Sequence, residues 1–245
     1  MSLLSALLLG LIQGVAEFLP ISCSGHLAIA QNLFHLTPEG VDDVFFSILL
    51  HLGTLVAVFV AYWGDIREMV VEFFLGIRDI ARRQTPTPVP PARRLILMLV
   101  VGTLPLFAVL PLQGWLESLN ANTYFVGGAL IFTGVMLFAC DKIRKGRKTA
   151  KTATMLDALM VGIGQAVATA PGISRSGTTI SVGCLMGFER KFAVRFAVFL
   201  SIPAVIGANI LSLVDAIQAG AINWELLPYY AVGVVTAAVT GYLSI

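Results

Sequence analysis

Two short polar motifs, one in each half of the chain, contain the residues whose types and spacing could do chemistry. The first contains Gln13, Glu17 and the run Ser-Cys-Ser-Gly-His from Ser22 to His26, and the second is Pro-Gly-Ile-Ser-Arg-Ser-Gly-Thr-Thr at positions 171–179. A carboxylate, an imidazole and a guanidinium are costly at membrane depth, so their presence inside apolar sequence indicates a functional site.

The second motif repeats the first. A shift of 152 positions superimposes them without a gap, and eight residues are identical within a window of sixteen. The identical pairs are Gly10 and Gly162, Gln13 and Gln165, Val15 and Val167, Ala16 and Ala168, Ile21 and Ile173, Ser22 and Ser174, Ser24 and Ser176, and Gly25 and Gly177. An internal duplication is the simplest explanation. The copies differ at their ionisable residues, because the acid Glu17 and the imidazole His26 have no counterpart in the second copy, which supplies the cation Arg175.

Arg175 lies at the predicted start of a helix, among hydroxyls and glycines. A guanidinium, nearby hydroxyl groups and the free amides of a helix N-terminus together bind oxyanions well, so the pattern predicts a phosphate site. The supporting hydroxyls are those of Ser174, Ser176, Thr178 and Thr179. The alternative is a buried arginine satisfied by backbone carbonyls, which explains an arginine at a break inside the membrane less well.

Gln13 and Glu17 are four residues apart and therefore share one face of a helix. Their oxygen atoms suit a hard divalent cation, Mg²⁺ or Ca²⁺, that takes its remaining ligands from substrate phosphates. The alternative is a neutral glutamic acid bonded across helices. We favour a functional carboxylate because His26 lies in the same motif.

His26 is predicted to act as a general acid or base near neutral pH, or as a nucleophile toward phosphorus. A packed core histidine is the alternative, and it is the preferred interpretation for His35 and His51. Cys23, between two serines, is either a nucleophile or a small packed residue, and the sequence leaves both open.

Ser22 and Ser24 are candidate nucleophiles or simple hydrogen-bond donors to phosphate. Three other side chains, Asp65, Asp141 and Asp157, lie at segment ends next to basic residues. Ion pairs at the membrane interface are the predicted role of these aspartates.

The composition predicts an all-α polytopic membrane protein that forms a single domain over residues 1–245. The chain is 57% hydrophobic and only 12% charged, and its mean hydropathy is +0.88, which excludes an ordinary soluble domain. The formal net charge of +2 gives no indication of a nucleic-acid partner. The three cysteines have neither disulfide nor metal-ligand spacing.

Five segments are long and apolar enough to span a bilayer: 44–63, 92–112, 122–140, 192–214 and 228–245. Segments 2–19 and 153–170 qualify less clearly, because each runs into a Pro/Gly/Ser-rich break, at 20–25 and at 171–177. Irregular backbone at membrane depth must be buried or line a cavity. We therefore predict two re-entrant helical hairpins that meet near the midplane.

The loops predict opposite orientations for these hairpins. Basic residues cluster at 78–94 and at 142–151, which places both connections in the cytoplasm. The second hairpin then starts and ends on that side, whereas the first leaves through the acidic segment 38–43. An inverted-topology repeat follows, with repeat 1 at about 1–112 and repeat 2 at about 122–245. Residues 65–83 mix charged and apolar side chains and predict an amphipathic interfacial helix.

The two motifs resemble the signature motifs of the bacitracin-resistance type undecaprenyl-diphosphate phosphatase family. The resemblance implies a multi-pass enzyme of the bacterial inner membrane that hydrolyses undecaprenyl diphosphate to the monophosphate and so recycles the lipid carrier for peptidoglycan synthesis. It also implies inverted repeats, a divalent metal, usually magnesium or calcium, and an active site open to the outer face. By position, Gln13 and Glu17 correspond to the acidic motif, His26 to the essential histidine and Arg175 to the phosphate-binding arginine.

The chain departs from the family pattern in two respects. Cys23 stands where the family usually has a serine that is one proposed nucleophile, so the attacking group is thiol, imidazole or water. Similar proteins also continue through a further apolar helix beyond the position of Ile245, so a missing last helix is expected, along with an effect on a possible homodimer. A rival function from another class is a secondary transporter or flippase of a lipid phosphate, because broken helices at the midplane also characterise transporters.

Overall fold

The computed structural model describes residues 2–34, 43–83, 88–120, 122–142, 146–218 and 224–245. Within these ranges the helices are α1 (Leu3–Phe18), α2 (Cys23–Phe34), α3 (Asp43–Ala61), α4 (Trp63–Ala81), α5 (Pro91–Phe107), α6 (Gln113–Asn120), α7 (Thr123–Lys142), α8 (Met155–Val167), α9 (Arg175–Leu185), α10 (Arg190–Gln218) and α11 (Leu227–Ser244). The described residues contain no strand, only one isolated bridge between Lys148 and Phe188. The predicted all-α class is confirmed for them.

Each apolar segment predicted from the sequence coincides with a helix, but fewer helices than expected qualify as simple spans. Among the described residues, Pro91–Leu112, Tyr124–Lys142 and Arg190–Leu211 are long and apolar enough to cross a membrane. Helix α3 qualifies only together with α4, and the two are bent by 83° at their junction. Polar and turn-favouring residues at the start of α11 dilute its hydropathy, so 228–245 does not meet the same criterion.

The two Pro/Gly/Ser-rich breaks end one helix and start the next, as predicted. Leu19, which precedes Pro20, is extended and terminates α1. Ser22 has a φ of 69°, a left-handed conformation that is strained for a residue with a side chain. The Ser22 hydroxyl then accepts from the Gly25 amide at 3.4 Å, and the equivalent Ser174 hydroxyl accepts from the Gly177 amide at 3.1 Å. Both copies thus begin their second helix with the same serine cap.

The first helix of each copy packs against a helix of the other half of the chain. Helix α1 lies against α11, and α8 lies against α5. Equivalent glycines make both contacts possible, since a Cβ at Gly10 would lie 2.5 Å from the Gly233 carbonyl oxygen and one at Gly162 would lie 2.1 Å from the Gly102 carbonyl oxygen. The two glycines that the 152-residue shift pairs therefore both lie at close helix contacts.

Ion pairs hold the segment ends, as predicted for the three aspartates. Asp157 accepts from Lys148 at 2.9 Å, and Asp141 pairs with Arg190 at 3.0 Å. The third pair joins Asp65 of α4 to Arg195 of α10. The predicted ion pairs are confirmed by these contacts, and their position at the membrane interface stays a prediction.

Helix α4 carries its charged face toward the start of α5. Arg93 donates to Glu72 at 3.1 Å and to Asp79 at 3.0 Å. The hydrogen bond that Asp79 accepts from Arg93 lowers the pKa of the Asp79 carboxyl below its usual value. The remaining face exposes apolar side chains such as Phe74 and Ile80, which is the arrangement expected of an interfacial helix.

Two apolar clusters form the core, one in each half of the helix bundle. One surrounds Phe188, Phe196 and Leu200, and the other surrounds Leu9, Phe46 and Tyr230. Large apolar side chains also cover the outside of the helices, as in a protein surrounded by lipid. His35, most of the acidic segment 38–43, and Arg144 and Lys145 of the second basic connection lie outside the described residues.

Candidate active site

The acid of the first motif and the cation of the second meet in the folded chain. Arg175 donates through Nη2 to Glu17 Oε1, across 158 positions of sequence. The side chain of Glu17 is 9% exposed and that of Arg175 is 25% exposed. Gln13 Nε2 donates to the other carboxylate oxygen, Oε2, at 3.0 Å. The pair is therefore largely removed from bulk solvent but remains accessible from one side.

His51 on α3 completes a cluster around this carboxylate. Its Nε2 lies 3.6 Å from Glu17 Oε2 and 3.8 Å from Cys23 Sγ. On the other side of the ring, Nδ1 lies 2.7 Å from the Ser47 carbonyl oxygen. Because a carbonyl only accepts, Nδ1 must carry a proton, and a neutral ring then presents the lone pair of Nε2 to Cys23 and Glu17.

Both copies contribute the same positions to one cavity of about 690 Å³. The pairs of equivalent residues in its wall are Ala16 and Ala168, Glu17 and Thr169, Ser22 and Ser174, Cys23 and Arg175, and Ser24 and Ser176. The N-terminal ends of α2 and α9 therefore open onto the same space. Two helix N-termini and the Arg175 guanidinium supply hydrogen-bond donors and positive charge to this wall, and the Glu17 carboxylate offsets part of that charge.

The rest of the cavity wall is mostly apolar. It is formed by the end of α5 and the turn after it, with Leu106, Phe107 and Leu110, and by α10, with Ile210 and Leu211. Phe107, Leu110, Ile210 and Leu211 are between 44% and 63% exposed, and Leu106 is partly exposed. The cavity thus has one charged end and one apolar end.

The remaining predicted site residues occupy the helix starts and do not line the cavity. His26 Nδ1 lies 2.8 Å from the Ser22 carbonyl oxygen, so it donates to the turn that precedes it. In the second copy, the Thr178 hydroxyl donates to the equivalent Ser174 carbonyl at 2.8 Å. The Thr179 hydroxyl donates to the carbonyls of Arg175 and Ser176 at 2.9 and 3.1 Å. Their roles in catalysis and phosphate binding stay predictions.

Sequence analysis missed two residues that the fold brings to the site. His51 was interpreted as a packed core histidine, although the segment from Asp43 to Leu55 that contains it also resembles the family. Gln165 is 1% exposed, lines the cavity, and has neither amide atom paired with another described residue. The duplication contained the signal for Gln165, since it is the counterpart of Gln13.

Comparison with known proteins gives a single consistent result. The family model described as bacitracin resistance protein BacA matches residues 6–245. An undecaprenyl-diphosphatase of Methanosphaera stadtmanae is 37% identical, over 100% of this chain and 88% of the relative. Relatives with the same name from Alkaliphilus metalliredigens and Methanobrevibacter smithii are 35% and 34% identical, again over 100% of this chain and over 88% and 87% of their own length.

Proposed function

The chain belongs to the family of the bacitracin resistance protein BacA, and on this premise we propose that it acts as its relatives are named, as an undecaprenyl-diphosphatase. It is a membrane hydrolase that converts undecaprenyl diphosphate to undecaprenyl phosphate and inorganic phosphate. This activity recycles the lipid carrier and fits the bacitracin resistance after which the family is named.

One observation carries the assignment to this cavity: the N-termini of α2 and α9 open on it together with Arg175. Helix N-terminal amides and a guanidinium are the groups that bind phosphate oxygens in proteins. Glu17 accepts from one donor of Arg175, and a guanidinium has further donors with which to bind substrate. A diphosphate placed here faces the N-terminus of α2 from the first copy, and the N-terminus of α9 and Arg175 from the second. The hydroxyls of Ser22, Ser24, Ser174 and Ser176 then supply further hydrogen bonds.

The residues around Glu17 also fit the divalent metal that the family resemblance implies. Gln13 is fully buried, and its Oε1 has no partner among the described residues. The neighbouring carboxylate provides a second oxygen, and two hard oxygen ligands leave places for water and phosphate oxygens around Mg²⁺ or Ca²⁺. When bound, such an ion neutralises charge on the phosphate oxygens.

The nucleophile and base that the geometry favours are Cys23 and His51, whose Sγ and Nε2 are 3.8 Å apart. In this scheme His51 Nε2 takes the thiol proton and Sγ attacks the terminal phosphorus. The bond between that phosphorus and the bridging oxygen breaks, so undecaprenyl phosphate leaves with the electron pair. Water then cleaves the sulfur–phosphorus bond, which releases inorganic phosphate and restores the thiol. Glu17, 3.6 Å from His51 Nε2, stabilises the imidazolium formed in the first step.

We assign His26 the role of a second proton carrier, although its side chain is not part of the cavity wall. It lies three residues after Cys23, in the first turn of α2. Its Nδ1 is held by the Ser22 carbonyl, so any proton exchange with water or substrate takes place at Nε2. The same hydrogen bond supports the strained turn at Ser22.

The apolar end of the cavity accommodates the isoprenoid chain of the substrate. Its wall between α5 and α10 is formed by Leu106, Phe107, Leu110, Ile210 and Leu211. A hydrocarbon chain is as apolar as the bilayer interior, so an opening between helices lets the headgroup reach Arg175 while the tail stays in lipid.

The orientation proposed from the loop charges gives two inverted repeats in the inner membrane with the cavity open to the outer face. The equivalent packing of α1 on α11 and α8 on α5 supports a structural duplication. The homodimer implied by the resemblance remains a prediction, to be checked by the mass of the detergent-solubilised protein.

Release of inorganic phosphate from undecaprenyl diphosphate by the purified chain tests the function. We expect release that requires Mg²⁺ or Ca²⁺ and that is lost in Glu17→Gln and in Cys23→Ala. Cys140→Ser, on α7 and away from the cavity, is the matched control. A folded protein that binds the lipid but releases no phosphate contradicts the assignment and favours a lipid-phosphate transporter.

A further inference from the structure

The cluster of Glu17, Cys23 and His51 has the composition and dimensions of a transition-metal site. One carboxylate oxygen, the thiol sulfur and the imidazole nitrogen all lie within 4.8 Å of one another. The Sγ to Nε2 distance is 3.8 Å and the Nε2 to Oε2 distance is 3.6 Å. Tetrahedral zinc with bonds of roughly 2.0–2.3 Å separates its ligand atoms by about 3.5 Å. Small side-chain adjustments therefore suffice for all three atoms to contact one ion.

His51 is oriented as a metal-binding histidine is. Its Nδ1 donates to the Ser47 carbonyl at 2.7 Å, which fixes the ring and leaves the lone pair of Nε2 inside the cluster. Ligating histidines nearly always have such an outer partner on their second nitrogen. The contact with Ser47 is independent of the distances within the cluster, and it also indicates that His51 can bind a metal ion.

The surrounding charges leave one carboxylate oxygen available. Arg175 binds Oε1 of Glu17, whereas His51 and Gln13 face Oε2. An oxygen that accepts one hydrogen bond retains a lone pair for a cation. The thiolate contributes one negative charge, and the carboxylate of Glu17 shares its charge between the ion and Arg175. The cavity wall contains all three residues, so a fourth ligand position is open to water.

We propose that Glu17, Cys23 and His51 bind a borderline-soft divalent cation of the zinc class when substrate is absent, and that this cation inhibits hydrolysis. Thiolate and imidazole select zinc over magnesium or calcium, which prefer oxygen ligands. Inhibition follows because the ion occupies the sulfur and the nitrogen that serve as nucleophile and base. The inhibitory half of the inference rests on the proposed function, whereas the binding half does not.

Cobalt(II) provides a direct test because its complexes with thiolates absorb strongly through sulfur-to-metal charge transfer. The full-length protein in detergent, without substrate, is titrated with Co²⁺ and then with Zn²⁺. We expect one saturable site per chain with a thiolate band that Zn²⁺ removes. Cys23→Ser abolishes the band, and His51→Gln weakens binding by more than about tenfold, since even outer-shell changes cost about 10–100-fold. Cys140→Ser and Cys184→Ser, whose thiols lie on α7 and α9, keep the band.

The site is refuted if the folded wild-type protein gives no thiolate band, if the band survives in Cys23→Ser, or if it disappears in Cys140→Ser. Phosphate release measured with Mg²⁺ and increasing Zn²⁺ tests the inhibition, which a zinc chelator should reverse. A protein that binds Co²⁺ through Cys23 but releases no phosphate in the absence of zinc refutes the proposed function and leaves the site intact. A protein that is active and has no thiolate-bound cobalt refutes the site alone.

Discussion

At the scale of single residues, the site depends on a carboxylate whose two oxygens have different partners. Arg175 holds Oε1 of Glu17, and Gln13 and His51 face Oε2. A buried pair of this kind contributes little net stability, because desolvation offsets much of the attraction. Its retention in an apolar surrounding is therefore better explained by binding and catalysis than by folding.

Arg175→Lys tests whether the planar fork of the guanidinium is needed. Lysine keeps the charge but cannot hold Glu17 and a phosphate with the same fixed set of donors. We expect kcat/KM for undecaprenyl diphosphate to fall by about 100-fold or more, the loss typical when one oriented donor to a reacting oxyanion is removed. Arg190→Lys, at an exposed pair with Asp141, is the matched control and should retain activity. Equal activity in the two variants would contradict a phosphate-binding role for Arg175.

Gln165→Leu tests the second residue that sequence analysis did not single out. Both amide atoms of Gln165 are buried without a partner among the described residues, which costs stability and is explained if they bind substrate. We expect kcat/KM to fall by about tenfold or more, since leaving out one buried hydrogen bond costs about 1–3 kcal/mol. The melting temperature should stay the same or rise, because leucine removes an unsatisfied polar group.

Asn209→Leu is the control for this experiment. Asn209 is another buried amide with an unpaired Oδ1, but it donates to the Val205 carbonyl at 2.7 Å and does not line the cavity. Activity should therefore be unchanged in Asn209→Leu. If Gln165→Leu lowers the melting temperature and leaves kcat/KM unchanged, Gln165 is a structural residue.

At the scale of elements, two short apolar helices position the site by packing closely on their neighbours. Helices α1 and α8 are too short to qualify as spans, and each ends at a Pro/Gly/Ser-rich break. Small residues let helix backbones approach each other in membranes, where packing replaces the hydrophobic effect as the driving force. Gly10 and Gly162 supply these close approaches, so both breaks are held at fixed positions.

Gly162→Ala tests this packing. A Cβ there would lie 2.1 Å from the Gly102 carbonyl oxygen, so α8 and α5 must separate. We expect destabilisation of about 1–3 kcal/mol, the usual cost of overpacking, measured as a lower melting temperature in detergent. Gly134→Ala on α7 meets no atom within 4 Å and should be neutral or stabilising, because alanine favours helix. A Gly162→Ala protein as stable as Gly134→Ala would contradict close packing of α8 on α5.

At the scale of the whole molecule, the cavity lies between the two copies of the duplication. Equivalent positions of both copies line it, yet their side chains differ: Glu17 faces Thr169, and Cys23 faces Arg175. The acid and the thiol thus come from one copy and the cation from the other.

The proposed inverted topology predicts which surfaces face the cytoplasm. Arg82, at the end of α4, should lie inside and Gly114, at the start of α6, outside; both are exposed. In a background without native cysteines, Gly114→Cys should react with a membrane-impermeant maleimide in intact cells, and Arg82→Cys only after permeabilisation. Labelling of both in intact cells, or the reverse pattern, contradicts the assignment based on loop charges.

The sequence by itself determined the helical class, the positions of the apolar helices, the two breaks and the ion pairing of Asp65, Asp141 and Asp157, although not which basic residues pair with them. These features depend on local composition, on proline and glycine chemistry, and on charges near segment ends. The 152-residue register also identified Glu17 and Arg175 as the ionisable residues of paired motifs.

Only the tertiary structure decided which side chains meet. Glu17 and Arg175 are 158 positions apart, and Cys23 and His51 are 28 apart. Helical periodicity relates residues three or four positions apart, so it has no bearing on contacts between α1, α3 and α9. The cysteines lack metal-ligand spacing in sequence for the same reason, although packing brings Cys23 next to an imidazole and a carboxylate. His51 was interpreted from the sequence as a core residue. It faces the Glu17 carboxylate because α3 packs beside the two breaks.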